Sequence, residues 1–207
     1  MDITGMRLFN FGLLSLTIVC AACGTDGLEG REAVHAETAP AVVDSILPIP
    51  VALERFRADI PEVPTGLRGG AESAEALVSE LVRLIEADDT LGFEAIAFDR
   101  AEFAYLYYES SPLARPPYEL PPALAWFQLQ QGNRTSVLRL LRELGGRPLG
   151  YAGLVCDRPS LQQGENRIWS GCRVRIERDD SVQEVRLFGA LIERDRGFKV
   201  LSFSNDL

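Results

Sequence analysis

The chain has 207 residues, of which 46% are hydrophobic and 25% charged, and a net charge of -9. That length holds one domain of ordinary size beside an N-terminal targeting segment, and the composition excludes collagen-like repetition and wholesale disorder. The acidic balance, with bases interspersed among acids, argues against a nucleic acid partner, which needs a broad basic surface.

The first 22 residues differ from everything after them. Arg7 precedes a run from Leu8 to Val19 that is apolar except for Asn10, Ser15 and Thr17, and Ala21 and Ala22 then lead into Cys23. The run is too short to span a bilayer, which takes about 20 residues. It reads as an export signal starting at Met1 or Met6. Cys20-Ala21-Ala22-Cys23 resembles the lipobox of bacterial lipoproteins, with Cys20 where leucine or valine is usual. The resemblance implies cleavage before Cys23, acylation of that cysteine and a place in the cell envelope, lipid-anchored, with the domain periplasmic or extracellular. Gly24 and Thr25 in place of an aspartate favour the outer membrane where there is one. The alternative is an ordinary secretory signal cut after Ala22. Several acyl chains would hold the protein at a membrane surface without a spanning helix.

Residues 23–44 lack periodicity and read as a flexible tether, in which His35 is a solvated residue. Residues 45–207 are left as a single α+β domain with its core over 71–207. Val51 to Asp59 predicts a short helix covering the core edge. Residues 73–88 give the clearest helical stripe, through Leu77, Val78, Leu81, Leu84 and Ile85. Asp88 to Thr90 end it and lead into a shorter helix with Phe93, Ile96 and Ala97. Asp99 and Glu102 form a capping-box pattern that predicts helix through Tyr108. The five prolines between Ser110 and Pro122 predict an extended loop. Pro121 and Pro122 then open a helix burying Leu124, Phe127 and Trp126, and Asn133 caps another that buries Val137, Leu138, Leu141 and Leu144 before Gly145-Gly146.

From Leu149 the apolar period changes to two, which predicts strands at 149–156, 167–178, 182–192 and 198–204, with Asp179-Asp180 and Asp195-Arg196-Gly197 as tight connections. Cys156 and Cys172 fall in neighbouring strands across a polar loop, where a hairpin sets them opposite each other for a disulfide. Helices followed by antiparallel strands make an α+β fold, here N-terminal helices packed on a curved four-stranded antiparallel sheet.

That order, with Glu86-Ala87-Asp88-Asp89 closing the first long helix and Gly197 to Phe203 as a last strand, resembles the nuclear transport factor 2-like (SnoaL-like) superfamily over about residues 71–207. The resemblance implies a cone-like pocket used by isomerases, cyclases, dehydratases and non-catalytic binders. It carries no catalytic residue across, since the first helix lacks the tyrosine of the steroid isomerases.

The densest chemistry lies between Phe103 and Trp126, where Tyr105, Tyr107, Arg115, Tyr118 and Trp126 are candidates for lining a pocket that takes a small apolar ligand. The alternative is that these rings fill space between helices and loop. For catalysis there remain the carboxylates Asp99, Glu102, Glu119 and Asp157, with Asp99 better read as a cap and Asp157 as a turn, while Lys199 is expected to be solvated. No cofactor or metal is called for by any motif. The favoured function is a non-enzymatic binding domain for a small molecule or an envelope protein. The alternative is a carboxylate-dependent isomerase, cyclase or hydratase.

Overall fold

A computed structural model describes residues 47–158, 160–178 and 181–207, and Ser45–Leu207 forms one compact unit. The signal segment, Cys23, the tether with His35 and the Asp179-Asp180 connection lie outside the described residues. Among the described residues no helix is long and apolar enough to cross a membrane.

The helices come first. Pro50 opens α1 (Ile49–Arg57), which buries Leu53 and Phe56. Ser73 caps α2 (Ala74–Glu86) by accepting a bond from the Ala76 amide, and the predicted stripe is buried together with Val82. The Asp89 carboxylate accepts from the Gly92 amide at the start of α3 (Gly92–Ile96). The Asp99–Glu102 capping box is present, opening the single turn α4 (Arg100–Glu102). The predicted helix through Tyr108 does not stay α-helical: residues Phe103–Tyr107 widen into a π turn and Tyr108–Ser110 tighten into a 3₁₀ turn. The widening accompanies dense aromatic packing, with the Phe103 ring 5.3 Å from Trp126 and 5.6 Å from Tyr108.

Pro122–Leu144 is one continuous helix, α5, not two. Asn133 is no cap. It is buried mid-helix, where its carboxamide accepts from the Phe203 amide at 3.0 Å and donates to the Leu201 carbonyl at 3.3 Å. Leu124, Phe127 and Leu138, all expected in the core, are exposed, and Ala125, Leu140 and Leu144 take the buried positions. Merging two helices into one fixes a single phase, and that phase turns Leu124, Phe127 and Leu138 outward while Trp126 stays inward.

Among the described residues seven strands form two antiparallel sheets where one four-stranded sheet was expected. β1 (Tyr151–Cys156), β4 (Cys172–Arg178) and β5 (Ser181–Val185) order as β1-β4-β5. β2 (Leu161–Gln163), β3 (Asn166–Ser170), β6 (Ala190–Arg194) and β7 (Gly197–Ser202) order as β2-β3-β6-β7. The predicted strand 167–178 is divided at Gly171, whose φ of +69° suits glycine, and its halves enter different sheets. The predicted strand 182–192 is likewise divided between β5 and β6. Asp195 and Arg196, with φ of +49° and +67°, make the tight β6–β7 turn as expected. Cys156 and Cys172 face each other in the β1–β4 ladder and are joined by a disulfide.

Two apolar clusters hold these elements. One joins α2, α3, the C-terminal half of α5 and the inner faces of β1 and β4; the other joins α1, the π turn and the N-terminal half of α5. β6 and β7 lie between them: Leu191 and Val200 face the first cluster, Ile192 and Leu201 the second. Strands covered on both faces lose hydrophobic alternation, as the buried runs of β6 and β7 show.

This double coverage also overturns the expectation for Lys199. Its ammonium is buried and contacts both carboxylate oxygens of Glu102, at 3.0 and 3.1 Å, and Glu102 is itself fully buried. The same carboxylate accepts from the amides of Arg68 at 2.7 Å and Asp99 at 2.8 Å. Every oxygen is thus satisfied, the condition under which a buried ion pair is tolerated.

Candidate functional site

The π turn and the proline-rich loop together shape one side of the unit. The Tyr108 hydroxyl donates to the Leu120 carbonyl at 2.5 Å, and the Leu120 amide returns to the Leu113 carbonyl at 2.8 Å, so the loop is closed on a buried ring. Ser111, also buried, donates its hydroxyl to the Tyr108 carbonyl at 2.8 Å. From the opposite side, the Asn166 side chain donates to the Leu106 carbonyl at 2.7 Å, pinning the β2–β3 hairpin against the π turn. Both walls are therefore held by hydrogen bonds at least partly buried, which resist loop motion more than exposed ones do.

Between those walls runs an open groove of about 380 Å³, bordered by Ser110, Pro112, Arg115 and Tyr118 of the loop and by Leu161 and Gln163 of β2. Tyr118 is 65% exposed and Leu161 61% exposed. Among the described residues no acid lies within salt-bridge distance of Arg115; the ion pairs engage other arginines. The side-chain oxygen of Gln163 is buried without a hydrogen-bond partner among the described residues. The groove thus offers an aromatic and an aliphatic contact and an uncompensated cation.

The five candidate pocket residues divide between this groove and the second apolar cluster. Arg115 and Tyr118 border the groove. Tyr105, Tyr107 and Trp126 pack against the second apolar cluster, with the Arg57 guanidinium 4.6 Å above the Tyr105 ring and the Tyr107 ring 5.9 Å from that of Phe98. Burial holds the Tyr107 hydroxyl above its ordinary pKa. Leu161 and Gln163 escape sequence reasoning because the segment after Cys156 reads as a polar loop, and Ser110 because nothing singles it out at the start of the proline-rich loop.

The carboxylates are committed elsewhere. Asp99 caps α4, Asp157 pairs with Arg173 at 2.7 Å, and Glu102 is locked to Lys199, while Glu119 stands exposed in the loop. A second depression, of about 460 Å³, is lined by Glu165, Arg167, Glu193 and Arg194, whose charges pair off as Arg167–Glu193 at 2.7 Å and Arg194–Glu165. A third, of about 580 Å³, joins Gly69–Glu72 to Asp195–Gly197 and is walled largely by backbone and small side chains. Arg196, which borders the second and third, also has no ion pair among the described residues, but only the first sets large exposed apolar side chains, Tyr118 and Leu161, beside its charge.

No family model, curated protein or solved structure matches the chain.

Proposed function

We propose that the chain is an envelope lipoprotein, anchored through acylated Cys23, whose domain binds a protein partner in the groove between the proline-rich loop and β2. The observation that carries this reading is the division of the aromatic side chains. Tyr105, Tyr107 and Trp126 fill the second apolar cluster, while Tyr118 stands exposed beside Leu161 and Arg115. An enclosed apolar pocket would favour a small molecule, whereas an open groove with an exposed ring suits the side chains of another protein. The complementary segment carries an apolar side chain for Tyr118 and Leu161 and a carboxylate for Arg115.

The hydratase or isomerase alternative needs a carboxylate with a free oxygen. Glu102 has both oxygens engaged, and the Tyr108 hydroxyl is spent on the Leu120 carbonyl. For the architecture we propose the nuclear transport factor 2-like cone. In its favour are helices preceding the strands and the bend at Gly171, which turns one apolar run into two sheets.

The test is photo-crosslinking in cells from position 118 of the exported full-length protein. The reading expects a discrete adduct that is lost when Leu161→Asp is added and absent when the crosslinker sits at Val182, which is exposed on β5. Equal adducts from 118 and 182, or indifference to Leu161→Asp, would overturn it.

A further inference from the structure

The exposed side of α5 departs from the rest of this acidic protein. Between Glu119 and Glu143 the chain runs 23 residues without an acid, although it holds 30 Asp and Glu in all. Leu124, Phe127, Gln131, Arg134, Leu138 and Arg142 follow one another at spacings of three and four, so they share one helical face. On that face Leu124, Phe127 and Leu138 are 43%, 57% and 56% exposed. Arg142 meets only its neighbour Glu143, and Arg134 has no acidic partner among the described residues. Sequence reasoning placed the three apolar side chains in the core, and nothing within the described unit covers them.

We propose that this face of α5 lies on an anionic lipid surface, with Phe127, Leu124 and Leu138 entering the headgroup region and Arg134 and Arg142 meeting lipid phosphates. Three observations select a bilayer over other occupants. Apolar side chains interleaved with arginine, without acids, are what an interfacial helix requires. The net charge of -9 does not oppose the contact, because exposed charges beyond about 8 Å are screened at physiological ionic strength, and the surface nearest α5's exposed face is its own. The geometry of attachment also agrees. The chain enters the unit at α1, whose Leu53 and Phe56 share a cluster with Ala125, Trp126 and Leu129 on the inner side of α5.

The residues between Cys23 and α1 would stretch to about 80 Å, and to about 25–30 Å as a flexible coil. α5 is about 35 Å long. The helix is therefore within reach of the leaflet that would hold the acylated cysteine. This last point rests on the anchor; the composition and exposure of the face do not.

Ser45–Leu207 forms one compact unit that holds both apolar clusters of the described residues, so the test uses it without the tether. That fragment, made with its disulfide, is tested by sedimentation with vesicles of phosphatidylglycerol and phosphatidylethanolamine and with vesicles of phosphatidylcholine alone. The proposal expects association with the anionic vesicles that weakens as salt rises. Arg134→Glu with Arg142→Glu should lower the partition by about 25-fold, at about fivefold per arginine. Phe127→Ser should lower it about tenfold. All three substitutions are at exposed positions and should leave the melting temperature unchanged.

Tyr118→Ser should leave vesicle binding as it is, so a failure here does not bear on the groove. Binding to no vesicle, or equal binding to both compositions, overturns the proposal. So does a concentration-dependent dimer that Phe127→Ser dissolves in the absence of vesicle binding, which would assign the face to a second copy of the chain.

Discussion

The Lys199 ammonium sits 3.0 and 3.1 Å from the two carboxylate oxygens of Glu102, and both residues are buried. The pair ties the last strand to the capping box of α4 and, through the Arg68 amide, to the segment before α2. Gly70 makes room for it: a Cβ there would meet the Phe198 carbonyl oxygen at 2.2 Å and the Lys199 side chain at 2.8 Å.

Removing one partner leaves an uncompensated buried charge. Lys199→Met and Glu102→Gln should each destabilise by about 3–5 kcal/mol, whereas the two together should cost less than the sum of the singles. Urea unfolding of the four proteins checks this; additive losses would mean the two side chains are not coupled.

Asn133→Ala should cost about 1–3 kcal/mol, because the Phe203 amide and the Leu201 carbonyl would lose their partner within the core. Hydrogen exchange should locate the loss at Phe203, since that amide donates directly to the Asn133 side chain. Unaltered protection of that amide would contradict the role given to Asn133.

Tyr151 is held above its ordinary pKa by burial and then by its hydrogen bond to Glu75, and burial raises Tyr107 and Tyr108 as well. An unfolded tyrosine loses its proton near pH 10, and the folded ones hold theirs to higher pH. The folded state then binds more protons than the unfolded, so the stabilising contribution is complete below about pH 10 and is lost as pH rises beyond it. Melting temperatures between pH 8 and 11 should fall most steeply above 10, and Tyr151→Phe should make that fall shallower. A rise in melting temperature across this range would reverse the assignment.

Cys156 and Cys172 close a loop with a sequence separation of 16. Reduction, or Cys156→Ser with Cys172→Ser, should destabilise by about 3 kcal/mol on the chain-entropy account. A denaturation midpoint equal to that of the oxidised protein would remove this contribution.

Much of the helical part was legible in sequence because its signals are local. Ser73, the stripe of α2, and the Asp99–Glu102 box each act within a few residues of themselves. Failures arose where a distant partner decides. Asn133 resembles a cap until the end of β7 is laid across it, and Lys199 resembles a solvated strand residue until Glu102 arrives from 97 positions away. Two apolar clusters on either side of β6 and β7 erase the alternation that would have revealed separate sheets. Of the groove, the loop side was visible in Arg115 and Tyr118. The β2 side was hidden, since three residues are too few to show a period.

The anchor has its own check. Cys23→Ala in the full chain should move the protein from the membrane to the soluble fraction or leave it uncleaved, and the mature wild type should carry its acyl mass on the peptide that begins at Cys23. An unmodified mature N-terminus would end the lipoprotein reading while leaving the groove untouched.

The measurement that bears most directly on the groove is amide hydrogen exchange of the full-length protein in its native membranes against the same protein purified in detergent. Occupation by a membrane partner predicts slowed exchange over residues 110–118 and 161–164 in the membranes alone, with β4 and β5 unchanged. Identical exchange over those two segments in both states would contradict it.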